Sequence, residues 1–281
     1  MAAASKGYHF AMPQPRHPSI RDADAPSGAG AWLQTIKGWL RAIHFSAAAV
    51  VTAFTPSAHD RQARALAARQ IHFSAWQALP GFTLACALLS FVLIRIVVGA
   101  AQNYGISQYA LELTVRVLVL ELIPVLAALY VALRSGAAIS TKVALMRLGG
   151  ELDRVARSGR DPVGAELVPR VIGSLVAVML LAYLSGVVAL VLAYLELYGF
   201  SPWAIGGFVR ITGHVFDPLA VAGFLFKTML FGAVVGAVPI GAALGVRDDV
   251  DAVPGAVRRG MVRLGVTLAM IEVVFVAAMY A

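Results

Sequence analysis

YALELTVRVLVLELIPVLAALYVAL, residues 109–133, decides the fold class. Its only charged residues are Glu112, Arg116 and Glu121, and the twelve positions after Glu121 are apolar throughout apart from the Tyr130 hydroxyl. A helix needs about 20 mostly apolar residues to cross the hydrocarbon core of a bilayer, and this run exceeds that length. Segments 78–101, 168–195 and 218–246 meet the same requirement, and 261–281 just reaches it. The expectation is an all-α integral membrane protein with about five transmembrane helices, which puts its two ends on opposite sides of the membrane.

Composition agrees with the bilayer. Hydrophobic residues make up 59% of the 281, above the roughly 45–50% of soluble domains, and the mean hydropathy is +0.78. The net charge of +8 comes from basic residues beside apolar runs, which favours anionic lipid head groups over nucleic acid as neighbours. The lone Cys86 excludes an intrachain disulfide and a cysteine metal cluster.

Lys and Arg in the connections set the orientation, because cytoplasmic loops retain them. Residues 1–76 carry eight, 134–170 seven and 247–263 four, whereas 102–108 has none and 196–217 only Arg210. The N-terminus is therefore expected in the cytoplasm and the C-terminus in the periplasm. Residues 1–30, rich in Pro, Ala, Ser and Gly, read as a disordered tail without a secretory apolar core. Within 31–76, Trp32, Leu33, Ile36, Trp39, Leu40 and Ile43 recur at helical spacing between polar residues. That pattern predicts an amphipathic helix in the cytoplasmic interface, or one packed on a soluble partner. Residues 77–281 form the transmembrane domain.

Ionisable residues within spans are costly and mark candidate sites. Glu121 lies about 18 Å into the second span and Lys227 roughly 14 Å into the fourth, counted from the same side at 1.5 Å per residue. At a shared depth they form a structural ion pair or line a wet cavity for a lipid head group. Glu272 in the fifth span could face the same interior. Glu112 and Arg116 read as an interfacial pair four residues apart, and His214 near Asp217 as loop residues. Gly232, Gly236, Gly241 and Gly245 form small-xxx-small pairs around Pro239, read as close packing or as a hinge. The histidines show no metal-binding spacing and no nucleophile elbow or phosphate loop occurs, so neither a catalytic nor a metal site is expected and ATP-driven work requires a separate ATPase. Between the second and third spans, residues 140–158 predict a cytoplasmic helix with an apolar face.

Several ordered pieces resemble one family. ELIPVL (Glu121, Leu122, Pro124, Val125, Leu126) is followed by RSGAAI from Arg134 to Ile139. Met146, Arg147, Glu151, Asp153, Gly159, Asp161 and Pro162 come next, then Pro169–Arg170, and finally Phe226, Lys227, Phe231 and Gly232. In order and spacing these resemble the MlaE/YrbE permeases of MCE-associated lipid ABC transporters, from about Arg69 to Val257. The chain departs from that pattern at Leu120 (usually Arg), Gly150 (usually acidic), Lys142, Ala144 and residues 253–259.

The resemblance implies a permease subunit in the bacterial inner membrane, moving phospholipid-class lipid. Its implied partners are a cytoplasmic ABC ATPase, a second permease copy or paralogue, a periplasmic MCE-domain protein and membrane lipid. ATP and Mg would be bound by the ATPase and no cofactor by this chain. It implies a lipid cavity with Glu121, Lys227, Pro124 and Phe231, and ATPase coupling through Met146, Arg147, Glu151, Asp153, Gly159 and Asp161. The alternatives are a structural subunit of such a complex that carries no lipid, or an intramembrane lipid-modifying enzyme.

Overall fold

The computed structural model describes residues 77–106, 109–159, 161–246 and 250–280; the expected tail over 1–30 and the amphipathic segment over 31–76 lie outside the described residues. Among the described residues every regular element is a helix. In chain order these are α1 (Leu79–Asn103), α2 (Ala110–Leu148), α3 (Glu151–Arg157), α4 (Val163–Tyr198), α5 (Ile205–Val215), α6 (Pro218–Ala243) and α7 (Val253–Tyr280). Five of them, α1, α2, α4, α6 and α7, are long and apolar enough to cross a membrane.

Local chemistry explains the boundaries. Pro80 and Pro218 sit in first turns, where a missing N–H costs nothing. Asp217 caps α6 by accepting from Ala220 N at 2.6 Å. Asp161 caps α4, its two oxygens accepting from Val163 N at 3.0 Å and Gly164 N at 2.9 Å. α7 begins eight residues before the expected span, at Val253. Pro254 suits its first turn, and the added residues, Arg258 and Arg259 among them, extend the helix beyond the apolar stretch.

α2 differs most from the sequence expectation. It runs unbroken for 39 residues, roughly 58 Å at the standard rise, about twice the hydrocarbon thickness. The Arg134–Gly136 stretch, expected to begin a loop, is absorbed as a wide π-type turn over Ala132–Gly136. The helix expected over 140–158 is consequently split: its first half continues the span to Leu148, and α3 carries the rest. The break falls at Gly149–Gly150, where Gly150 takes φ 67°, a left-handed conformation that suits glycine.

α6 is the centre of the bundle, packed on α4, α7 and α2. Lipid tails are as apolar as leucine, so close approach and hydrogen bonds hold membrane helices together. Gly232 and Gly236 of α6 sit directly against the α4 backbone at Leu175 and Val171. Ser174 Oγ donates to the Gly232 carbonyl at 3.1 Å, and Ser140 Oγ of α2 donates to the Pro239 carbonyl at 3.1 Å. α6 continues through Pro239 to Ala243, and Gly245 lies past its end. On α1 the buried stripe is Phe82, Cys86, Ser90 and Ile94, while Leu84, Leu88, Val92 and Ile96 face outward. An outward apolar stripe of that length fits a bilayer and not water.

Candidate functional site

Three helices bring three charges together inside the bundle. Lys227 of α6 donates to Glu121 Oε2 of α2 and lies 2.7 Å from Glu272 Oε2 of α7. The sequence placed Glu121 and Lys227 at similar depth; Glu272, left open there, is the third member. Lys227 Nζ also lies 3.5 Å from the Leu120 carbonyl. Pro124 accounts for that oxygen, because proline brings no N–H to the carbonyl four residues before it. The π-type register over Val115–Leu122 further loosens the backbone around Glu121.

Burial differs across the cluster. The Lys227 side chain is 3% exposed, whereas those of Glu121 and Glu272 are 15% and 21% exposed. Phe231, one turn along α6, is fully buried with its ring centroid 5.9 Å from Lys227 Nζ. Pro124 is likewise buried in the helix packing. In this chain the two carboxylates are therefore the partly open members of the cluster, while Pro124 and Phe231 are buried and line no open cavity among the described residues.

An apolar cleft of about 290 Å³ between α2, α4 and α6 is lined among others by Val119, Tyr183, Gly186, Phe216, Phe224 and Leu225, and by none of the three charged residues. The Tyr183 hydroxyl is 2.9 Å from Thr228 Oγ1, next in sequence to Lys227. An apolar hollow linked to a charged cluster through Tyr183 and Thr228 matches the two-part chemistry of an amphiphile.

The candidate coupling residues separate into two groups. Arg147, Glu151 and Asp153 are exposed at the end of the bundle that carries the basic connections. Glu151 borders a surface hollow of about 480 Å³ with Thr141, Lys142 and Leu145. Met146 is buried, its Sδ 3.5 Å from Arg170 Nη2, and Arg170 is itself buried and paired with Glu166 at 3.2 Å. Gly159 (φ 78°) and Asp161 build the turn from α3 into α4. Arg170 thus ties the base of α2 to the start of α4.

One intramembrane charge escaped the loop-by-loop count. Arg95 of α1 pairs with Glu196 of α4 at 3.3 Å, with its guanidinium carbon 5.9 Å from the Phe91 ring centroid. Its side chain is 66% exposed. A single Arg inside the apolar run LSFVLIRIVV is the signal that identifies it. Glu112 and Arg116 pair at 3.1 Å on α2. The Asp217 carboxylate serves as a helix cap, which gives it a structural use beside His214. No group of His, Cys, Asp and Glu suited to a metal ion occurs among the described residues.

Residues 67–278 match the family described as permease MlaE. A probable ABC transporter permease protein of Rickettsia felis is 28% identical over 197 residues, covering 68% of this chain and 72% of the relative. A probable ABC transporter permease protein of Rickettsia conorii is 27% identical over the same shares, and one of Rickettsia prowazekii is 27% identical over 59% of this chain and 64% of its own length.

Proposed function

The chain belongs to the MlaE permease family, and from that premise we propose that this multi-pass ABC transporter permease carries a phospholipid-class lipid through a site built on Glu121, Lys227 and Glu272. The observation that carries the reading is the charged cluster itself, held inside the spans on helices α2 and α6 that also line an apolar cleft. Three ionisable groups within the spans are expensive in hydrocarbon and persist where a polar ligand or pathway uses them. The head group would meet the carboxylates and an acyl chain the cleft.

The proposed engine is a separate ABC ATPase that binds ATP and Mg at the basic, cytoplasmic end. Its contact is the exposed set Arg147, Glu151 and Asp153. Because α2 is continuous from Leu148 back past Glu121, displacement at its cytoplasmic tip would pass along the same helix to the site. The Arg170–Met146 contact would carry the same movement into α4. The complex proposed is a bacterial inner-membrane assembly with a second permease chain and a periplasmic MCE-domain protein.

Affinity capture of the full chain from its own membrane tests the engine. An ABC ATPase is expected to copurify, and Glu151→Lys with Asp153→Lys is expected to reduce its recovery about tenfold, the scale of lost charge complementarity at an interface. Capture without an ATPase, or recovery indifferent to the reversal, contradicts the coupling assignment.

A further inference from the structure

We infer that the Glu121–Lys227–Glu272 cluster recognises the primary ammonium of a zwitterionic head group and not its phosphate. This rests on reading the cluster as the lipid site, and adds which half of the head group it holds.

The lysine is enclosed. Lys227 hydrogen-bonds to Glu121 Oε2 and to the Leu120 carbonyl at 3.5 Å, and lies in ion-pair contact with Glu272 Oε2 at 2.7 Å. With its side chain 3% exposed, the ammonium is shut off from a ligand's phosphate. The carboxylates are in the opposite position. Each is contacted by Lys227 through its Oε2, and Glu272 Oε2 is buried without a hydrogen-bond partner, but a carboxylate offers about four lone-pair sites and both side chains are more open than the lysine. The surface that the cluster presents to a ligand is therefore an acceptor surface.

Charge points the same way. With both carboxylates ionised the cluster sums to −1, and the residue preceding Glu121 is Leu120, a buried apolar side chain that adds no charge. A zwitterionic head group, of net charge zero, leaves that sum unchanged and can set its ammonium against it, whereas a head group of net charge −1 doubles it. Inside the spans, where screening by water and salt is weak, the sign of this sum dominates selectivity. A primary ammonium also supplies N–H donors to the free carboxylate oxygens, which a quaternary one does not.

The test uses the full chain in its membrane complex, in vesicles holding photoreactive phosphatidylethanolamine or phosphatidylglycerol at equal mole fraction. Labelling of peptides containing Lys227 or Glu272 is normalised to the outward face of α1. The expected result is about tenfold more ethanolamine lipid at the site, falling to about twofold in Glu272→Gln, where the ionised cluster is neutral. Equal or greater labelling by phosphatidylglycerol in the unmodified chain overturns the inference, whether or not the variant folds. Labelling by neither lipid above the α1 level overturns the underlying lipid-site reading as well.

Discussion

Lys227→Ala is expected to lower the folding stability of the purified chain by about 3–5 kcal/mol, because removing one partner of a buried charge cluster leaves the others uncompensated. Here two carboxylates would be left facing each other. Lys227→Met combined with Glu121→Gln and Glu272→Gln removes all three charges, and such wholesale replacement is often neutral or stabilising. Thermal unfolding followed by tryptophan fluorescence should thus show a large drop for the single variant and near-complete recovery for the triple one. Lipid transfer should be lost in both. A triple variant that folds and still transfers lipid would make the cluster a packing device.

Gly232→Ala with Gly236→Ala is expected to have an effect of similar size for a different reason. A methyl at Gly232 would stand 2.5 Å from Leu175 Cα and 2.9 Å from its carbonyl oxygen, and one at Gly236 would stand 2.8 Å from Val171 Cα. These are backbone atoms of α4, which cannot swing aside as a side chain can. α4 and α6 must separate, at about 1–3 kcal/mol for each inserted methyl and with loss of the Ser174 bond to the Gly232 carbonyl. Gly206→Ala with Gly213→Ala on α5 is the control, since nothing lies within 4 Å of either added methyl. Size-exclusion profiles and melting temperatures should separate the pairs by several degrees, and equal behaviour would remove close helix approach as the basis of the α4–α6 contact.

The five membrane helices were legible because hydrocarbon thickness imposes a length that few other structures need. Glu121 and Lys227 were legible for a related reason, since charge within such a run stands out and counting along two helices from one side compares their depths. Glu272 could be listed but not assigned: its partner is fixed by the rotation of α7 against α6, which residue spacing alone does not give. Arg95 stood in plain view, yet a tally confined to connections passed over it. The length of α2 was misjudged because Arg134, Ser135 and Gly136 resemble a loop. The chain instead widens into a π-type turn there, and the alanine-rich sequence that follows carries the helix on to Gly149. Pro124 shows how local chemistry reaches the site without touching a ligand: its missing N–H and the Leu120 carbonyl near Lys227 belong together.

Reconstituted transfer tests the proposed role of the cluster most directly. The full chain, assembled with its copurifying ATPase in vesicles containing a fluorescent phosphatidylethanolamine, is compared with the Glu121→Gln, Lys227→Met, Glu272→Gln triple variant at matched folding stability. ATP-dependent transfer by the unmodified chain, reduced at least about tenfold in the triple variant, is the predicted result. Equal ATP-dependent transfer by both would contradict a lipid path through these three residues.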